Sequence, residues 1–281
     1  MPPTIKTLLD SAAARLAATS DSARLDAELL LAQALGGSRS QLRAQPEQLI
    51  DEAAQCGFER LLSARLQGIP LAYIAGEREF WSLPFKLTRE TLIPRPDTEL
   101  LVQTALECIP ADAAWKIADL GTGSGAIALA IASERLLCRV IATDVSRATL
   151  DVARENAAHL GLGNIEFRCG DWFAPLSGAR YNLVVSNPPY VREGDPHLDE
   201  DGVRFEPRRA LVSGPDGLDA IRHIIGQSPA HLLPDSWLLL EHGYDQAETV
   251  RALFAAQNFN NVRSVQDLSG HERVTLGQTS V

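Results

Sequence analysis

From Trp115 onward the chain alternates short apolar runs with helical patterns, and few architectures satisfy that rhythm. Apolar runs at 116–120, 138–143, 164–168, 181–186 and 235–241 are separated by helical patterns at 125–135, 147–160 and 216–230, with another at 245–257. Strand and helix in turn predict βαβ units and a mostly parallel α/β sheet. Leu183-Val-Val185 and Trp237-Leu-Leu-Leu240 are apolar at successive positions, so these strands should be covered on both faces. Two more strands, Val262–Gln266 and Arg273–Gly277, close the pattern.

The first strand of this series breaks into Asp119-Leu-Gly-Thr-Gly-Ser-Gly125. Glycines at 121, 123 and 125 let the backbone turn sharply and approach a ligand with no Cβ in the way. Asp144 ends the next strand, where a carboxylate can accept both hydroxyls of an adenosine ribose. The spacing is G-x-G-x-G, and Asp119 stands directly before it. A carboxylate there repels a pyrophosphate and suits an ammonium and a sulfonium, which favours S-adenosyl-L-methionine over a dinucleotide. Gly121, Thr122, Gly123, Ser124, Gly125 and Asp144 are therefore expected to bind the cofactor. Trp172 follows the third strand and is expected to wall the adenine, with Asp171 beside it.

Asn187-Pro-Pro-Tyr190 follows the fourth strand and would end at the same rim. Prolines fix the backbone and carry no N–H, so their carbonyls are free to accept. An amide or aromatic amino group has two N–H donors, and the Asn187 side-chain oxygen with the Pro188 carbonyl can take one each. Such a nitrogen is a poor nucleophile because its lone pair is delocalised. Holding both hydrogens in a dry pocket aims that lone pair at a methyl carbon without a metal or a side-chain nucleophile. Tyr190 offers a planar face, and Asn187, Pro188, Pro189 and Tyr190 are the expected catalytic residues. None of the six histidines has an obvious catalytic partner, and His242 is read as structural. The 195–209 loop is assigned no chemistry.

The first quarter reads differently. Helical patterns through Leu8, Leu16, Leu29 and Leu62 end at Gly68 and Pro70, which predicts a small all-α domain over 1–70. Residues 71–90, with Phe80 and Trp81, read as a β-hairpin linker, and 91–281 as the catalytic domain. A net charge of −10 disfavours a broad embrace of nucleic acid. Cys56, Cys108, Cys138 and Cys169 are too widely spaced for a metal pair. No segment reaches the roughly 20 apolar residues of a membrane span, so a soluble cytoplasmic protein is expected.

Asp119 to Gly125, Asn187 to Tyr190, Phe80-Trp81 and Leu92-Ile-Pro-Arg-Pro-Asp97 together resemble the bacterial protein-(glutamine-N5) methyltransferases that modify peptide chain release factors. The resemblance covers nearly the whole chain. It implies a class I (Rossmann-like) methyltransferase sheet with an antiparallel final strand, preceded by a small all-α domain that docks the substrate. It further implies S-adenosyl-L-methionine as donor, S-adenosyl-L-homocysteine as product, and a release-factor glutamine within Gly-Gly-Gln as acceptor. By matching positions, Trp172 and Asn187 would join Gly121 to Gly125 and Asp144 around the cofactor. Two rival acceptors are a ribosomal-protein glutamine and, more distantly, the N6 amino group of adenine in nucleic acid.

Overall fold

A computed structural model describes residues 2–280. Its contacts divide the chain into two units. The first runs through Gly76 and takes in Asp199–Phe205, while the second comprises Glu77–Leu198 and the chain from Glu206 onward.

The first unit is helical: α1 (Ile5–Leu16), α2 (Ala23–Ala34), α3 (Arg39–Ala44), α4 (Glu52–Leu66) and α5 (Leu71–Ala75). Side chains start three of these helices by accepting an otherwise orphaned amide: Thr4 from Thr7, Ser38 from Gln41 and Asp51 from Ala54. The core joins Ile5, Leu9 and Leu16 to Leu30, Leu31, Phe58 and Leu62. Asp26 is buried among them but satisfied, accepting from Ser20, Ser22 and, at 2.8 Å, Arg65. Residues 71–75 are helical, although their apolar pattern predicts the start of a hairpin. Pro70 opens this turn and left-handed Gly76 closes it.

The second unit begins with the antiparallel pair β1 (Glu77–Phe80) and β2 (Leu83–Lys86). Trp81 and Ser82 form its turn with positive φ, as a two-residue hairpin of this twist requires. The amide of Trp81 donates to Glu99 and its indole N–H to Glu134. Then follow α6 (Glu99–Cys108), β3 (Lys116–Leu120), α7 (Ala126–Glu134), β4 (Arg139–Asp144), α8 (Arg147–Leu160), β5 (Ile165–Cys169) and β6 (Tyr181–Ser186). The chain ends with α9 (Asp219–His231), β7 (Leu232–Glu241), α10 (Ala247–Ala256), β8 (Asn260–Gln266) and β9 (Glu272–Gln278).

Seven strands form one sheet in the order β5-β4-β3-β6-β7-β9-β8, with β9 antiparallel to both of its neighbours. Successive strand residues serve different cores, as the period of two demands: Leu183 and Val185 join the core of α6 and α7, and Val184 joins that of α9 and α10. From β3 the chain winds outward through β4 and β5, then returns to β6 on the other side of β3. That reversal leaves a crevice at the carboxyl ends of β3 and β6, where open α/β sheets bind ligands. Leu120 pairs with both Thr143 and Ser186, so the glycine turn, Asp144 and Asn187 all start at one level of the sheet. Among the described residues no helix is long and apolar enough to cross a membrane.

Candidate active site

The crevice opens into a cleft with about 690 Å³ of space, part of it solvent. Its lining includes Gly121 and Gly123, Asp144 and Val145, Trp172, and Asn187 with Pro189. Sequence-predicted residues from four strand ends thus meet in one place. Thr122, Ser124 and Gly125 lie outside the lining and shape the turn. Thr122 donates to Asp119 at 2.6 Å, and the Ser124 carbonyl accepts from Asn156.

Gly121 has φ +71°, and a Cβ there would stand 3.3 Å from the Trp172 ring. Backbone and indole therefore pack closely, and a side chain there would press on the ring as well as strain the backbone. Asp144 is fixed through both oxygens, accepting from Gly123 N–H at 3.1 Å and Ser146 N–H at 2.9 Å. Each oxygen keeps a second lone pair for a ligand hydroxyl. Burial raises the Asp144 pKa, and the two amides and the nearby Arg209 oppose that rise. Val145 is 63% exposed at the edge of the cleft, an apolar surface a flat ring would cover.

Asp119 is fully buried at the end of β3 and lies outside the residues that line the cleft. Its Oδ2 holds the turn through Thr122, and its Oδ1 has no hydrogen-bond partner. Burial pushes its pKa up to about 7.

On the acceptor side, Asn187 Nδ2 donates to the Thr98 hydroxyl at 3.1 Å. The amide's donor end is thereby engaged, and Oδ1 is the end left for a ligand. Pro189 reaches the cleft and Pro188 is buried behind it. The Tyr190 hydroxyl donates to Glu241 at 3.3 Å, and its carbonyl accepts from Gln246 at 3.0 Å. Thr98, Glu241 and Gln246 support the motif from three other elements, and no local pattern marks them in the sequence. Arg209 closes another wall, donating to Glu90 and Ser146. Glu206 anchors that loop by accepting from Ile93 N–H and from Arg95. His242 is buried in the core, its two nitrogens bonded to Gly243 O and Thr275 Oγ1, which fits the structural reading.

The seven-stranded order with its reversed β9, and the glycine turn facing an acid on the next strand, define a class I methyltransferase. Family models match over residues 7–76 (PrmC N-terminal domain) and 97–200 (Methyltransferase small domain). A release factor glutamine methyltransferase from Pseudomonas aeruginosa is 52% identical over 92% of this chain and 94% of its own. The Escherichia coli protein of that name is 47% identical over 92% and 93%. This chain belongs to the release factor glutamine methyltransferase family. A solved methyltransferase from Pyrococcus furiosus shares the fold, with a TM-score of 0.52 at 14% identity over 71% of this chain and 90% of that one.

Proposed function

We propose that this chain transfers a methyl group from S-adenosyl-L-methionine to the N5 amide nitrogen of the glutamine in the Gly-Gly-Gln motif of peptide chain release factors. The supporting observation is the Asn187 amide, its donor end engaged by Thr98 and its acceptor end left for a substrate N–H, one strand away from the glycine turn. Family membership agrees, and the named relatives carry this activity in their names.

The residues present fit the donor. Gly121 and Gly123 would form its floor, Asp144 would accept the ribose hydroxyls, and Trp172 with Val145 would bracket the adenine. The Asp119 carboxyl, at the end of the strand that feeds that floor, keeps one unpaired oxygen, Oδ1. S-adenosyl-L-methionine supplies an electrophilic methyl carbon on a sulfonium. Asn187 Oδ1 and the Pro188 carbonyl each accept one glutamine N–H, and Tyr190 packs against the flat amide. The glutamine nitrogen attacks in line as the carbon–sulfur bond breaks, and the nitrogen then sheds one proton to solvent. Positioning of this kind contributes several kcal/mol.

The helical unit, matched by the PrmC N-terminal domain, is assigned to docking of the protein substrate. A chain of net charge −10 suits a protein acceptor better than a nucleic acid. A bacterial translation protein as substrate places the enzyme in the cytoplasm in this reading.

Asn187→Ala tests the reading with a release factor as acceptor. Turnover should fall ~100-fold or more while cofactor affinity stays within roughly tenfold. Near-normal turnover would remove Asn187 from the acceptor site.

A further inference from the structure

Glu241 is a fully buried carboxyl at the end of β7, directly beneath the acceptor motif, and the chemistry above does not use it. Most buried polar atoms have a hydrogen-bond partner, and one that does not calls for an explanation. Here Oε1 accepts from Tyr190, and Oε2 has no hydrogen-bond partner. The Thr98 hydroxyl lies beside it and favours its charged form. That same hydroxyl accepts from Asn187 Nδ2, so a carboxylate, a threonine and the catalytic amide stand in a row.

The direction of this row matters more than its existence. An asparagine amide presents an acceptor at one end and a donor at the other, and it can be held either way round. Taking a substrate N–H requires Oδ1 to face the cleft, hence Nδ2 to face inward. A hydroxyl donates once, so a threonine that gives its proton to a carboxylate presents only lone pairs to its other neighbour. An anionic Glu241 draws the Thr98 hydrogen toward itself, which obliges Thr98 to accept from Nδ2. A neutral Glu241 becomes a donor, and the row can then run backwards with Oδ1 turned inward.

We propose that Glu241 and Thr98 are positioning residues that set the orientation of the Asn187 amide, and with it the acceptor character of the methylation site. The inference rests on the proposed glutamine N-methylation and deepens its account of the acceptor pocket. Tyr190 is held by the same carboxylate, so Glu241 couples both polar members of the motif. The groups facing it are mixed in sign. From β9 comes Arg273, which also pairs with Asp267 and lies 3.6 Å from Asp97. Asp97 and Thr98 precede α6, Arg95 lies near Tyr190, and His242 follows Glu241 but turns to Thr275. Burial raises the Glu241 pKa to about 7, with Thr98, Tyr190 and Arg273 opposing the rise and Asp97 adding to it.

The test uses the full chain, methyl-labelled S-adenosyl-L-methionine and a release factor. Thr98→Val keeps the shape and removes the hydroxyl, while Thr98→Ser keeps the hydroxyl. Thr98→Val should lower kcat about ten- to hundredfold, with the KM for release factor and cofactor affinity within about threefold, as expected for misplacing a bound acceptor. Thr98→Ser should recover most of that loss. At saturating cofactor, which keeps the glycine-turn side of the cleft occupied, wild-type kcat should fall as pH drops through about 7. Glu241→Gln should have lower kcat and lack that acidic limb. Cofactor binding by calorimetry reports folding of each variant independently of turnover. Wild-type kcat in Thr98→Val would overturn the proposal, as would equal loss in Thr98→Val and Thr98→Ser, or an acidic limb unchanged in Glu241→Gln. If Asn187→Ala is also fully active, the acceptor reading itself fails; if only Asn187→Ala is impaired, this inference alone does.

Discussion

Gly217 offers a sharp test of how the acceptor motif is held. Its φ is +77°, and a Cβ placed there would stand 2.3 Å from the Tyr190 carbonyl oxygen and 2.9 Å from Gln246 Nε2, the donor to that oxygen. In Gly217→Ala the left-handed backbone costs about 1–2 kcal/mol. Losing the Gln246 bond adds about 1–3 kcal/mol, giving a total of about 2–5 kcal/mol of destabilisation. To clear the new carbon, the carbonyl must move by about 1 Å, a misplacement that can lower turnover by ~100-fold. Gly161→Ala is the matched control: its φ is +67°, but the added carbon meets nothing within 4 Å. It should show the backbone cost alone, about 1–2 kcal/mol, with normal turnover. Chemical denaturation gives the stabilities and methyl transfer to a release factor gives kcat. Equal turnover in the two variants would refute the claim that Gly217 seats Tyr190.

Two further outcomes follow from the cleft and from the helical unit. Asp144→Ala should weaken S-adenosyl-L-methionine binding by calorimetry more than it lowers kcat at saturation; unchanged affinity would remove Asp144 from the ribose site. Glu28 is buried beside Arg24, Arg39 and Arg43. Burial alone would raise its pKa, but the arginine contacts outweigh burial and hold it below 4.5. A depressed folded-state pKa means stability that is present above the unfolded value and lost as pH falls through the folded one. Glu28→Gln should therefore unfold at lower temperature than wild type at pH 7, and the gap should close below about pH 4.5. A gap that persists in acid would contradict the ion-pair account.

Local periodicity carries most of the architecture. The strands 116–120 and 181–186 and the helix 147–160 lie in the structure where their apolar spacing puts them, because burial on a sheet and on one helix face writes a regular pattern. Two departures have physical causes. Strand β7 starts at Leu232, where Pro234 and a positive φ at Asp235 interrupt the apolar pattern and hide the strand's opening. Tyr73 and Ile74 look strand-like alone, yet Pro70 and Gly76 make a helical turn of them. The cleft residues were legible because the glycine turn, Asp144 and Asn187 each end a strand, and parallel strands bring such ends to one rim. Thr98, Glu241 and Gln246 were not. Each supports Asn187 or Tyr190 across long sequence separation, and a lone threonine, glutamate or glutamine advertises nothing until the fold brings it there.

The central claim is the identity of the acceptor nitrogen, and locating the methyl group answers it most directly. The protein is incubated with methyl-labelled S-adenosyl-L-methionine and, in separate reactions, a release factor, its Gly-Gly-Gln Gln→Ala variant, a ribosomal protein extract and duplex DNA. The methyl is then placed by tandem mass spectrometry. Label on the side-chain amide of that one glutamine, and none in the Gln→Ala variant, is the predicted result. Label in DNA or in the ribosomal extract, with the release factor unmodified, would contradict it.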